Sequence, residues 1–299
     1  MGFEDKIIKF KGTDAFADKE LKERLLRKVE VYNKKRFKPE AFSDCFSSED
    51  IRRDTEEVSQ LQTIFKQNLN KEREKYPDDP TSGQIENIGA ITEFIVAKHI
   101  STWFANLIKA HPTAEFDDYK NNIDLVLEYI DSPENSKYIG LGLDVTFSTN
   151  KEIINKKLDR IWNYDLREGK PASVKYFESS DKKVHGSIEV PRVVVALDPR
   201  MVKELMRLED KNKIEELDNH PVQIVILYQL QQQFGAFHKR AISRDDAGHK
   251  KVANMYRAAV EQFNKVIEKK QEYINDNMHV LSDDIGARLV QEFFEGKER

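Results

Sequence analysis

Three carboxylates interrupt apolar patterns in this 299-residue chain, and each would be costly to bury alone. At about 100° per residue, Glu93 shares a helical face with Ala90, Ala97, Ile100 and Phe104, a stripe widened by Val96, Trp103 and Leu107. Asp124 stands just before Leu-Val-Leu, at the start of an expected strand, where aspartate is disfavoured. Asp144 lies within Leu141-Gly-Leu-Asp-Val-Thr-Phe147. Strand alternation puts it on one face with Thr146 and Ser148, and puts Leu143, Val145 and Phe147 on the other. A buried acid late in one strand, beside a strand carrying another, predicts a divalent-cation site. Hard ions such as Mg²⁺ take oxygen ligands and keep several waters, so one or two carboxylates suffice. Taken singly, each acid also has a plainer reading, as a boundary residue paired with an arginine, a lysine or the backbone, or as a strand-end turn residue.

The elements that must hold these acids follow from periodicity. Leu21, Leu25, Leu26, Val29 and Tyr32 predict one helix, and Val58, Leu61, Ile64, Phe65 and Leu69 a second. Tyr76–Gly83, with two prolines and a glycine, reads as a boundary loop. A long helix is expected from Gln84 to Ala110, ending before Pro112. Asn122–Ile130 and Tyr138–Phe147 read as strands joined by a turn at 131–135, with Ala114–Asp118 as a short strand before them. Thr149 and Glu152 are spaced as a capping box for a helix running to about Arg167. Strands return at Ser173–Phe177 and Ile188–Leu197, followed by helices over Met201–Leu217, Val222–Ile242 and Ala247–Asn277; Val222–Leu227 could instead be a strand. The expected architecture is α/β, a small mixed β-sheet core flanked by helices with further helices at both ends. Three segments are expected: 1–80 helical, 81–200 the α/β core and 201–299 helical.

A glutamate on a first helix, Ile-Asp-Leu-Val on one strand and Leu-Asp-Val-Thr on the next, then an amphipathic helix, resembles the PD-(D/E)XK nuclease-like superfamily over roughly Gln84–Leu197. The resemblance implies an αβββαβ-type nuclease-like core that binds Mg²⁺ or Mn²⁺. Its metal ligands would be Glu93, Asp124, Asp144 and the backbone carbonyl of Val145. Thr146 stands where the family has lysine, and threonine supplies no positive charge. Members with a relocated lysine are known, so an amine from the following helix is expected. There Ile153, Ile154, Leu158, Ile161 and Trp162 define the buried face; Lys157 falls within it, Lys151 lies on its margin and Lys156 points away. Lys175, on the Ser173–Phe177 strand, is a third source, and all three could equally be lysines that reach past an apolar face to water.

Composition bounds the alternatives. Forty-nine Lys+Arg against 53 Asp+Glu give a formal −4, without the overall basicity of a dedicated nucleic-acid binder. The basic runs Lys34-Lys35-Arg36-Phe37-Lys38 and His238-Lys239-Arg240, with Arg244, His249, Lys250 and Lys251, could touch phosphates but read as solvated faces. No apolar run reaches the roughly 18 residues of a membrane helix. The start lacks a signal-peptide pattern, and Lys6 stands where myristoylation wants Ser or Thr. The single cysteine, Cys45, has no zinc-spaced partners. A cytoplasmic location is therefore expected. Walker, dinucleotide, HExxH and GxSxG motifs are missing. Val252, Tyr256, Val260, Phe263 and Val266 predict a packing helix or a contact between copies in a homo-oligomer. The expected function is metal-dependent hydrolysis of phosphodiester bonds in DNA or RNA, with Glu93, Asp124, Asp144 and Lys157 catalytic. The alternative is an inactive member of the same fold that binds nucleic acid or protein.

Overall fold

Helix α1 (Lys19–Asn33) begins where Asp18 accepts the Leu21 amide at 2.9 Å, and it buries Leu21, Leu25, Val29 and Tyr32. The computed structural model describes residues 18–75, 85–130, 140–148 and 150–298. The expected boundary loop, the turn at 131–135 and Thr149 lie outside them. A 3₁₀ turn at Pro39–Phe42 leads to α2 (Ser48–Lys75). That helix buries Ile51 and Val58 but leaves Ile64 and Phe65 exposed, so its apolar stripe is only half used.

Helix α3 (Ile85–Trp103) stops short of the expected Ala110. Ala105 and Asn106 take positive φ of 54° and 57°, which breaks the helix. The chain then enters strand β1 (Ile108–Pro112). Ala114–Asp118 is correspondingly not a strand; it leads into a π-helical turn at Asp117–Asn121, closed by Asn122 in the left-handed region. Strands β2 (Leu125–Tyr129) and β3 (Gly140–Phe147) follow. Helix α4 (Lys151–Arg160) is capped by Asn150, whose side chain accepts the Glu152 amide, and passes into a second π-helical turn at Ile161–Asp165 and a last short turn, α5 (Leu166–Glu168).

The expected strand at Ile188–Leu197 is two strands, because Pro191 has no N–H for a ladder. Strand β4 (Ala172–Glu178) pairs antiparallel with β5 (His185–Val190) as a separate hairpin, while β6 (Arg192–Leu197) joins the main sheet. That sheet has the order β1-β2-β3-β6, with β3 and β6 parallel and the other neighbours antiparallel. Every residue of β2 and β6 is buried, as expected of strands covered on both faces.

Helices α6 (Pro199–Asp210), α7 (Ile214–Asp218), α8 (Val222–Ala241), α9 (Ala247–Asn277), α10 (Val280–Asp283) and α11 (Ile285–Glu298) complete the chain. Val222–Leu227 is helix, not strand. Its partner β6 would be an exposed sheet edge, and α8 closes it with side-chain amides. Gln233 accepts from the Val194 N–H at 2.8 Å and donates to its carbonyl at 2.6 Å. Gln229 does the same at Ala196, at 2.9 and 2.7 Å. Two buried glutamines thus take the place of a neighbouring strand. One apolar cluster runs from Leu21 through α3, the sheet and α8 to Phe294, so all three sequence segments share a core. Val252, Tyr256, Phe263 and Val266 are buried in it, so this face of α9 packs within the chain, the first of the two roles expected for it. Among the described residues no helix is long and apolar enough to cross a membrane.

Candidate functional site

Asp124 is fixed by backbone on both sides. Its N–H donates to the Leu143 carbonyl at 2.9 Å, and its own carbonyl accepts from the Thr113 N–H and hydroxyl, both at 3.1 Å. Extending the β2–β3 register by one residue sets it opposite Asp144. Its carboxylate turns towards β3 and accepts the Val145 N–H at 2.6 Å. Val145 therefore meets the site through its amide, whereas the resemblance assigns its carbonyl to a metal.

Glu93 comes from the buried face of α3, and oxygens of Glu93, Asp118 and Asp124 lie within 4.8 Å of one another. Asp118 was not among the candidates. The π-helical turn supplies it: Asp117 accepts the amides of Lys175 at 2.7 Å and Tyr176 at 3.1 Å, anchoring the turn to β4. Asp118 and Asp124 bring carboxylate oxygens within 4.8 Å of each other, and the charge of Asp118 helps to raise Asp124.

Two cations face these acids. Arg36 is buried, contrary to its reading as part of a solvated run. Its Nη2 donates to both Glu93 oxygens at 2.9 and 3.0 Å, and its Nη1 to Asp118 Oδ2 at 2.9 Å. Lys157 Nζ is ion-paired with Asp144. The other two lysines are used elsewhere. Lys151 pairs with Glu292 on the surface, and Lys175 Nζ reaches Asp54 at 2.5 Å beside the rings of Phe46, Phe116 and Tyr176. Ile153 is exposed, so the inner face of α4 is Ile154 and Leu158, with Lys157 at its edge.

Glu93, Asp118 and Asp124 thus gather around Arg36, while Asp144 stands outside that group of three, opposite Asp124 and paired with Lys157; fully ionised, the four acids exceed the two cations by two charges. The protonation equilibria register that deficit. Burial pushes Glu93 up to about 8 against the opposing pull of Arg36. Burial raises Asp118, and burial together with Asp144, Asp118 and Glu93 raises Asp124 well above the usual range. Burial lowers Lys157 less than Asp144 and Asp124 raise it, so the amine stays charged. Tyr32 adds a buried hydroxyl with no hydrogen-bond partner among the described residues, its ionisation suppressed by burial and by the charge of Glu93. A charge deficit of this kind in a desolvated place is relieved either by protons or by one dication. The oxygen donors suit Mg²⁺ or Mn²⁺.

A second group of potential ligands joins Asp44, Cys45 and His185, whose ligand atoms also lie within 4.8 Å. Sequence spacing gives no hint of it, because His185 arrives from the distant β4–β5 hairpin. Both His185 nitrogens already face carboxylates, Asp44 at 3.1 Å and Glu178 at 3.2 Å. Comparison with family models, with curated proteins and with solved structures finds no match.

Proposed function

We propose that this chain is a divalent-metal-dependent hydrolase of phosphodiester bonds in nucleic acid, built on a PD-(D/E)XK nuclease-like core. The observation that carries the reading is the charge imbalance at the sheet end, where, among the described residues, Glu93, Asp118 and Asp124 converge beside Asp144 and meet two cations, Arg36 and Lys157. The chain order α3-β1-β2-β3-α4-α5-β4-β5-β6, with the β4–β5 hairpin outside the β1-β2-β3-β6 sheet, is compatible with the αβββαβ expectation once that hairpin is taken as an insertion before β6.

In this reading Asp124 and Asp144 are the principal metal ligands, and Glu93 binds directly or orients water. Bound Mg²⁺ or Mn²⁺ lowers the pKa of a water and neutralises charge on phosphate oxygens. Asp124 is held at a fixed angle by the Val145 N–H and by the β2–β3 ladder. Lys157 supplies the positive charge that Thr146 lacks, carried by α4 instead of β3. Arg36 holds Glu93 and Asp118 in place through a bidentate and a single contact, keeping them apart from bulk water.

That same arginine favours the second reading, an inactive member that binds nucleic acid or protein, since it already satisfies two of the four acids. Cleavage of labelled single- and double-stranded DNA and RNA with Mg²⁺ or Mn²⁺ separates the two. The hydrolase reading expects cleavage by the wild type that Asp144→Ala abolishes. Equal cleavage by both proteins, or by neither, leaves the binding-module reading.

A further inference from the structure

The two π-helical turns, at Asp117–Asn121 and Ile161–Asp165, are held against each other by one side chain. Arg192 donates through Nη1 to the Asn121 carbonyl at 2.7 Å and through Nε and Nη2 to Asp165 at 3.2 and 3.0 Å. A groove of about 440 Å³ opens over this clamp, lined among others by Lys120, Asn122 and Ser173. A second, of about 770 Å³, runs along α4 past Lys156, Asn163 and Arg167. Arg160 and Tyr164 line both, so they form the ridge between them.

The ridge has an unusual composition. Tyr164 is 67% exposed, a large ring held out to solvent. Around it stand Lys120, Lys156, Arg160, Arg167 and Arg192; Lys120 pairs with Glu57, Arg167 with Glu168 and Arg192 with Asp165, so among the described residues Lys156 and Arg160 are the cations of the ridge in no ion pair. The first groove is lined by Lys120, Asn121 and Asn122, from the same turn that carries Asp118, and Asn122 stands two residues before Asp124, although the acids themselves line neither groove.

We propose that these joined grooves bind single-stranded nucleic acid, with phosphates on Lys156 and Arg160 and an unpaired base stacked on Tyr164, and that they lead the strand to the acid cluster. In a duplex the base faces are covered by their neighbours, so an exposed ring flanked by cations offers a stacking platform only to an unpaired strand. The inference rests on the hydrolase reading for its direction, towards the acids, but not for the binding itself.

The test uses the full chain in EDTA, where hydrolysis does not proceed, with fluorescein-labelled dT15 and rU15, a 15-base-pair duplex and a polyglutamate peptide, followed by anisotropy. The proposal expects dT15 or rU15 to bind at least tenfold more tightly than the duplex and polyglutamate; the pair identifies whether DNA or RNA is preferred. Tyr164→Ala weakens binding roughly 5- to 150-fold, the range for loss of one stacked base. Tyr164→Phe keeps it, and Arg160→Gln reduces the salt slope by about one. Thermal melts guard against misfolding, and the exposure of Tyr164 makes its variants safe substitutions. Undetectable oligonucleotide binding, equal binding of duplex or polyglutamate, or an unaffected Tyr164→Ala overturns the proposal. The two readings fail separately. Tyr164-dependent binding without cleavage in Mg²⁺ sinks the hydrolase and keeps the groove, while cleavage indifferent to Tyr164→Ala does the reverse.

Discussion

Arg36 and Glu93 are 57 residues apart in sequence and meet in a bidentate contact at 2.9 and 3.0 Å, both side chains buried. The pair ties the segment after α1 to the middle of α3. Removing one partner of a buried pair leaves an uncompensated charge, a loss of about 3–5 kcal/mol. Arg36→Met is therefore expected to destabilise the metal-free protein by about that amount in urea titrations. Adding Glu93→Gln to Arg36→Met recovers part of the loss. A change below about 1 kcal/mol contradicts the pairing as described.

The pH dependence has a definite sign. Glu93 is raised to about 8, and Asp118 and Asp124 are raised too, chiefly by burial. A carboxyl whose folded pKa exceeds its unfolded value near 4.5 favours folding fully below that value, and the contribution fades as pH climbs through the folded pKa. In EDTA the melting temperature is expected to fall between about pH 5 and pH 8. Mg²⁺ restores it at the alkaline end, by taking the place of the protons. A melting temperature that rises steadily over that range in EDTA is the contrary result. At the acid end the sign reverses. Burial would raise Glu209, but His99, Lys28 and Lys98 pull it down to about 2, so its contribution is lost as pH falls below about 4.5.

Lys157 separates rate from binding. Its amine faces Asp144, so Lys157→Met makes the cluster more negative while removing the electrostatic support for the reacting phosphate. The rate constant of cleavage is expected to drop roughly 10²- to 10³-fold, with Mg²⁺ affinity no weaker than in the wild type. Lys151→Met and Lys175→Met, whose amines engage Glu292 and Asp54, leave the rate within a fewfold. Equal losses in all three variants exclude a special role for Lys157.

The glutamines on α8 carry a stability prediction independent of function. Replacing Gln229 or Gln233 by leucine leaves a buried N–H and a buried carbonyl of β6 without partners. Each substitution is expected to cost roughly 1–3 kcal/mol in chemical denaturation. A stabilising or neutral Gln→Leu change means that β6 finds other partners.

How much of this was legible in the sequence depends on how far apart the causes lie. Glu93, Asp124 and Asp144 are visible because each breaks a local apolar pattern, and Lys157 because helical spacing turns it towards the inner face of α4. Arg36 is hidden in a run of charges; only the fold-back of the chain after α1 buries it. Asp118 was missed because Ala114–Asp118 passes for a strand. The pair Asp117-Asp118 followed by Asn121-Asn122 is turn chemistry, and Asn122 does adopt the left-handed conformation such a turn needs. The length of α3 was overstated because nothing in Ala105-Asn106 forbids a helix outright. Pro191, by contrast, carried the division between β5 and β6 in plain sight.

At the sheet end a dication can replace the protons that burial favours on Glu93, Asp118 and Asp124. Calorimetric titration of Mg²⁺ and Mn²⁺ into the metal-free protein near pH 7, in two buffers of different ionisation enthalpy, tests it most directly. One saturable site is expected, with a measurable release of protons on binding and a loss of affinity of about 100-fold in Asp124→Asn, which can still accept the Val145 amide. Heat without saturation up to millimolar metal, or binding that Asp124→Asn leaves unchanged, contradicts it.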